Sequence, residues 1–159
     1  MSTTSIVTPV QPVYASSPLG DAALLLGRIA LVVIFLMSGV QKFMDIGGVA
    51  GMLASKGLPA PSALAVLAAA TEVGGGLLIL IGWQTRLVAL ALMAFTLIAA
   101  YFFHDFWHMP PGAEQTDNMI HALKNVSIAG GFLLLAGSGA GRFSVDGPCT
   151  MHDRTTSAS

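Results

Sequence analysis

The sequence predicts an all-α integral membrane protein, an up-down bundle of four transmembrane helices built from two parallel helical-hairpin repeats. Three observations support this fold class. Hydrophobic residues make up 54% of the 159 residues and charged residues 9%, whereas soluble domains carry about 25% charged residues. Four apolar runs approach the roughly 20 residues that a helix needs to cross the hydrocarbon core. Two glycine-rich segments also repeat each other.

The four apolar runs define the predicted spans. They cover residues 24–43, 62–83, 87–103 and 119–137. The runs are too long for strands and do not alternate, and backbone groups in lipid must pair within their own segment, so each run predicts a helix. We expect one membrane domain at residues 21–146, between a disordered N-terminal tail at residues 1–20 and a C-terminal tail at residues 147–159.

The links between the runs differ in length and character. Residues 84–86 alone separate the second and third runs, which predicts a tight antiparallel hairpin. Before the second run, apolar residues recur at helical spacing and predict a short amphipathic helix in the membrane interface; they are Ile46, Val49, Met52 and Leu53. The aromatic residues of the link at residues 105–118 indicate a belt at one membrane face.

The repeat relates the first half of the apolar region to the second. The sequence GGLLILIG at residues 75–82 matches GGFLLLAG at residues 130–137, and Arg28 and Arg86 each stand at the start of a span. The chain is therefore interpreted as two parallel copies of one helical hairpin. Glycines at matching depths would let neighbouring helices approach closely, as is usual where burial from water gives no driving force.

The distribution of basic residues predicts the orientation. One membrane face carries Arg28, Arg86, Arg142 and Arg154, and the other carries Lys42, Lys56 and Lys124. Positive charge is enriched on the cytoplasmic side of membrane proteins. Residues 1–20 contain no Lys or Arg and therefore lack the basic region of a signal peptide. We expect both termini in the cytoplasm.

Charge and cysteine usage exclude several classes of function. The formal net charge is −1, so the chain has no basic surface for nucleic acid. Cys149 is the single cysteine, which excludes an intramolecular disulfide, a CxxC redox pair and a cysteine-based zinc site.

Several motifs between residues 24 and 146 resemble those of one membrane-protein family, the DoxX family. The motifs are GR at residues 27–28, Gly39, Lys42-Phe43, Glu72 with GGGLL at residues 74–78, Thr85-Arg86 and GRFSVD at residues 141–146. The resemblance implies a four-helix protein of the bacterial inner membrane. The family takes its name from a subunit associated with a terminal quinol oxidase and with thiosulfate:quinone chemistry. Other members are associated with thiol and oxidative-stress handling, and distant relatives assist the assembly of membrane proteins.

Three ionisable side chains inside the spans are the candidate catalytic residues. Glu72 lies near the middle of the second span, Lys42 ends the first span, and Lys124 lies about one turn into the fourth. Placing such a charge at the centre of a helix in lipid costs about 2.5–3.5 kcal/mol. The presence of each group within a span therefore calls for a functional or structural explanation. One interpretation is a polar pocket in which Glu72 and a lysine or histidine hold a quinone carbonyl or relay its proton. The other is an ion pair that only fixes helix register.

His104, His121 and Asn125 are the candidate cofactor-binding residues, with quinone as the candidate cofactor. A haem interpretation needs histidines that face each other across the bundle, and His104 and His121 lie at the same membrane face on different helices. Histidine at an aromatic interface is more often an ordinary belt residue, and no carboxylate completes a metal motif around His108, so we expect no metal site. Arg28 and Arg86 are expected to reach lipid headgroups.

Three functions are compatible with these residues. The first is an inner-membrane subunit of a quinone-linked redox complex, whose partners are membrane lipid and a partner redox protein or a second copy of the chain. The chain has neither a nucleotide motif nor a CxxC pair, so any oxidoreductase activity would need that partner. The second is a membrane assembly or scaffold factor without catalysis. The third is a small transporter, which is disfavoured because four helices make a narrow pore.

Overall fold

The computed structural model describes residues 17–147, which fold as an up-down bundle of long helices. Its helices are α1 (Pro18–Met44), α2 (Ile46–Ser55), α3 (Pro61–Ile81), α4 (Thr85–Phe103) and α5 (Ala113–Ser138), with a short 3₁₀ turn at Phe106–His108. Helices α1, α3, α4 and α5 are long and apolar enough to cross a membrane. The predicted fold class is confirmed, whereas the equivalence of the two halves stays a prediction. Residues 1–16 and 148–159 of the predicted tails lie outside the described residues.

Two helices begin earlier than their apolar runs. Helix α1 starts six residues before residue 24, at Pro18, because the Ser17 hydroxyl accepts a hydrogen bond from the Gly20 amide at 3.0 Å and proline suits the first helical position. Helix α5 starts at Ala113, six residues before residue 119. Its first turns are polar, and hydropathy does not detect a helix that projects beyond the membrane core.

Helix α2 confirms the predicted short helix between the first two spans. The Asp45 carboxylate caps it by accepting a hydrogen bond from the Gly48 amide at 2.9 Å. Its apolar face buries Leu53, and the helix packs against α3.

The four long helices associate as two close pairs, α1 with α3 and α4 with α5. The pairs meet in a core in which Phe35 of α1 packs edge to face on Phe132 of α5, with ring centroids 5.2 Å apart. The other buried core residues are Val32, Ile79, Ala89, Leu92 and Leu135.

The paired glycines were predicted to let neighbouring helices approach closely, and the structure shows this role for some of them. Side chains rather than backbones fill the space that glycine leaves: a Cβ at Gly75 would stand 2.8 Å from Leu92, and a Cβ at Gly131 would stand 2.9 Å from Leu31. A Cβ at Gly130 would meet nothing within 4 Å. The repeat matches Gly75 to Gly130, and of these two glycines only Gly75 therefore serves helix packing.

One end of the bundle, here called the arginine end, is formed where α1 and α4 begin and α3 and α5 end. The prediction that Arg28 reaches headgroups is wrong, because its side chain is fully buried. Its guanidinium donates hydrogen bonds to the carbonyl oxygens of Ile79, at 3.4 Å, and of Phe143. The last carbonyls of a helix lack partners within that helix, and a buried arginine supplies the missing donors. Arg86 is exposed and donates to the Ala136 carbonyl at 3.2 Å.

Residues 141–146, here called the C-terminal strap, fold back over the end of α3. The amides of Val145 and Asp146 donate to the carbonyls of Ile81 and Gly82, at 3.1 and 2.8 Å. The strap therefore joins the segment that follows α5 to the α3–α4 corner.

The Asp146 carboxylate caps the start of α4. It accepts hydrogen bonds from the backbone amides of Gln84 at 2.8 Å and of Thr85 at 2.9 Å. Partial burial alone would raise the pKa of Asp146, but hydrogen bonds from Thr85 and Gln84 and the charge of Arg28 outweigh it and hold this pKa below its usual value.

We expect Asp146→Asn to lower the free energy of unfolding by about 1 kcal/mol at neutral pH, since it weakens the cap. A carboxyl whose pKa is lower in the folded state stabilises fully above its unfolded pKa, and that contribution is lost as the pH falls through the folded pKa. The difference between wild type and variant should therefore shrink below about pH 4. Detergent-titrated unfolding across this range measures it, and a difference that does not change with pH would contradict the assignment.

Candidate functional site

The opposite end of the bundle, here called the lysine end, contains a cavity of about 440 Å³. Side chains from α1, α2, α3, α4 and α5 line it, and most of them are apolar. The polar side chains that line it are Ser38, Gln41, Lys42, Asp45, Glu72, Thr96, His104, Lys124 and Asn125. An apolar cleft with a few convergent polar groups is the usual form of a small-molecule site, and such sites measure about 300–1,000 Å³.

Glu72 and Lys42 form an ion pair on the wall of this cavity. The Lys42 ammonium donates to both Glu72 carboxylate oxygens, at 3.0 and 2.8 Å, and to the Ser38 hydroxyl at 2.5 Å. The Glu72 side chain is only 9% exposed and that of Lys42 is 26% exposed. Each charge compensates the other, which lowers the cost of holding both groups within the bundle.

Close contact between α1 and α3 sets the geometry of the pair. A Cβ at Gly39 would stand 2.7 Å from the Val73 side chain and 3.0 Å from its backbone nitrogen. At 1.5 Å per residue, Gly39 lies about 8 Å from the end of α1, and Val73 lies about 18 Å from the start of α3. Helix α3 therefore extends roughly 10 Å past α1, and α2 packs against it. This offset brings Lys42, near the end of α1, level with Glu72 in the middle of α3.

Gly39→Ala is expected to push α1 away from α3 and to destabilise the protein by about 1–3 kcal/mol, because the added methyl group meets backbone as well as side chain. Gly27→Ala is the matched control on the same helix, since a Cβ there meets nothing within 4 Å. We expect the control to be neutral or slightly stabilising. Detergent-titrated unfolding compares the two, and equal stabilities would refute the role of Gly39.

Lys124 lines the cavity but does not contact Glu72. Its ammonium lies 3.1 Å from the Nδ1 atom of His121, one turn earlier on α5. Within residues 17–147 no carboxylate lies within salt-bridge distance of Lys124. Lys42, and not Lys124, is therefore the partner of Glu72.

The two candidate histidines meet each other. The rings of His104 and His121 are stacked, with centroids 5.1 Å apart and planes 21° from parallel. His104 lines the cavity, and its Nδ1 atom is buried without a hydrogen-bond partner among the described residues. Axial ligands of one haem hold the iron between their nitrogen atoms, in the planes of both rings, so stacked rings do not have that arrangement.

A second ion pair lies at the lysine end, outside the residues that line the cavity. The Lys56 ammonium, just after α2, lies 3.4 Å from the Asp105 carboxylate, just after α4. Both side chains are about 30% exposed, so the pair adds little to stability. It ties α2 to the link between α4 and α5.

Sequence reasoning missed two parts of the site. The first is Ser38, whose hydroxyl accepts a hydrogen bond from Lys42. Ser38 and Lys42 are four residues apart on one helix, and this spacing could have predicted the contact. The second is the apolar wall contributed by Val49, Met52 and Leu53 of α2. Helical spacing predicted α2, but not that the helix would cover a cavity.

These features define a class: small four-helix membrane proteins with a lysine–glutamate pair, partly buried, on the wall of a cavity at one end of the bundle. The DoxX family model matches residues 23–105, slightly more than half of the chain. The chain belongs to the DoxX family.

The chain is also similar to several membrane proteins. The inner membrane protein YphA of Escherichia coli is 43% identical over 123 residues, which cover 77% of this chain and 87% of that protein. The inner membrane protein YqjF of the same organism is 36% identical over 128 residues, or 80% of this chain and 92% of that protein. The uncharacterized membrane protein Rv3486 of Mycobacterium tuberculosis is 30% identical over 135 residues, which cover 80% of this chain and 81% of that protein. No solved structure matches the chain.

Proposed function

We propose that this protein is an inner-membrane subunit of a quinone-linked redox complex and that its lysine-end cavity binds the quinone ring. The observation that carries the proposal is the Lys42–Glu72 ion pair on the wall of a largely apolar cavity. A charged pair in a membrane bundle is most often retained at a functional site.

The cavity offers the hydrogen-bonding groups that a quinone and its quinol need. Because Lys42 donates to the Ser38 oxygen, the Ser38 hydroxyl proton remains free to donate to a ligand. Lys124 and Asn125 add an ammonium and an amide, which can donate to a quinone carbonyl. The Glu72 carboxylate can accept a hydrogen bond from a quinol hydroxyl, and the apolar walls suit the ring.

Reduction of a quinone to a quinol takes up two electrons and two protons. The titratable groups that line the cavity are Lys42, Asp45, Glu72, His104 and Lys124. The Lys42–Glu72 pair and His104 are the proposed route for the protons. The electrons come from a partner redox protein, because the sequence has neither a nucleotide motif nor a cysteine pair. We further propose that the arginine end faces the cytoplasm, in keeping with the enrichment of arginine there.

Quinone binding to the purified protein in lipid nanodiscs tests the proposal, with Lys124→Met as the variant. Lys124 is exposed and its only described partner is the exposed His121, so the variant should fold. We expect it to weaken binding about tenfold, the loss of one charge-assisted hydrogen bond. Ser127→Ala, on the same helix and outside the cavity lining, is the control.

Two results would contradict this function. Equal quinone affinities of the Lys124→Met and Ser127→Ala variants would show that quinone does not bind in this cavity. Absence of quinone binding, together with a non-redox membrane protein that co-purifies in fixed ratio, would instead favour the assembly or scaffold function.

A further inference from the structure

The walls of the lysine-end cavity differ in exposure from one helix to the next. Glu72 of α3 and Thr96 of α4 line the cavity and are buried. Ile34 of α1, Met52 of α2 and Lys124 of α5 also line it, but they are exposed. Helices α3 and α4 therefore form the floor of the cavity, and its opening lies between α1 and α5 and continues to α2 at the lysine end.

Contacts between α1 and α5 agree with an opening at this place. Their contact is the least extensive among the neighbouring pairs of long helices. The two helices meet where Phe35 packs on Phe132 and where Leu31 fills the space beside Gly131. These contacts lie at the inner end of the cavity, towards the arginine end.

The depth of the opening determines what it faces. Ile34 lies ten residues before the end of α1, which corresponds to about 15 Å along the helix. The hydrocarbon core of a bilayer is about 30 Å thick, so an opening of this length on the side of the bundle faces acyl chains as well as headgroups. Both helices also carry exposed apolar residues next in sequence to lining residues, among them Met37 and Leu123.

We propose that the cavity is a lateral portal and that its ligand is a long-tailed amphiphile from the bilayer. Its polar ring docks beside Glu72, and its apolar tail leaves between α1 and α5 into the lipid. The identity of the ring rests on the quinone-binding function proposed above, whereas the lateral opening does not.

Fluorescence quenching tests the opening without any quinone. Trp83 and Trp107 are the two tryptophans of the chain, and Trp83→Phe/Trp107→Phe provides a silent background. Phe95→Trp then places a probe on the cavity wall, and Leu97→Trp, 41% exposed on the same helix, is the lipid-facing reference. We expect acyl chains brominated near their midpoint to quench the Phe95→Trp probe at least about half as strongly as the reference, because a lateral opening admits lipid.

The dependence of affinity on the tail tests the ligand class. A benzoquinone with a decyl tail should bind at least about tenfold more tightly than the same ring without the tail, after correction for partition into lipid. Ile34→Trp should block the opening and remove most of that difference. Val33→Trp, on an exposed position of α1 outside the cavity lining, should preserve it.

The outcomes separate the two proposals. Quenching of the Phe95→Trp probe by acrylamide but not by brominated lipid would show an opening to water and overturn the portal. Equal affinity for tailed and tail-free rings would overturn the long-tailed ligand, even if quinone binding stands. Failure of wild type to bind either ring would instead refute the quinone function, while quenching still decides the portal.

Discussion

Glu72→Gln should lower the free energy of unfolding by about 3 kcal/mol, because it leaves the Lys42 ammonium inside the bundle without its counter-charge. The Glu72 side chain is only 9% exposed, so little water reaches the ammonium from that side. Lys42 is 26% exposed, which keeps the expected loss below that of a fully buried pair. Unfolding in mixed micelles titrated with a denaturing detergent measures the change.

The double variant Lys42→Met/Glu72→Gln separates structure from function. Removal of both charges should restore part of the stability, since no charge is then left without its counter-charge in the bundle. Quinone binding should stay weak in the double variant if the pair contacts the ligand. Restored stability with unchanged binding would show that the pair only fixes the register of α1 and α3, and an unchanged Glu72→Gln variant would refute both roles.

Arg28→Met should destabilise the protein by about 3–5 kcal/mol, because it removes two hydrogen bonds from a charged donor, one to a buried carbonyl and one to a partly buried carbonyl. Those carbonyls belong to Ile79 at the end of α3 and Phe143 in the C-terminal strap. Arg28→Lys should not rescue the loss, since an ammonium cannot reproduce the guanidinium fork that reaches two carbonyls in different segments. The same detergent-titrated unfolding measures both variants.

Arg86→Met is the matched control for Arg28. Arg86 is exposed and donates one hydrogen bond, to the Ala136 carbonyl, so its replacement should cost no more than about 1 kcal/mol. If both arginine variants lose equally little stability, Arg28 is not the residue that holds the strap. A large loss in Arg28→Met alone, with release of the strap to added protease, is the result we expect.

Sequence alone predicted the four spans because hydropathy is a property of each segment by itself. Their number and order are confirmed, and so is the short helix α2. The boundaries at Pro18 and Ala113 were missed, since a capping serine and polar first turns extend a helix beyond its apolar run.

The candidate site was only partly predictable. Glu72 stood out because a carboxylate in the middle of a span is costly, but the sequence left Lys42 and Lys124 as alternative partners. The structure selects Lys42 because Gly39 brings α1 against Val73 and sets the offset between α1 and α3. That offset depends on how the surfaces of α1 and α3 fit together, and the sequence of one helix alone does not reveal that fit.

The sequence by itself determined that the chain crosses a membrane, how many times it does so, and which charged groups need an explanation. Only the tertiary structure decided that Arg28 is buried, that Glu72 pairs with Lys42, and that a cavity lies beside them. The physical reason is that membrane insertion follows the transfer free energy of each helix separately. Ion pairing and cavities depend on the rotation and displacement of one helix relative to another, which close packing sets.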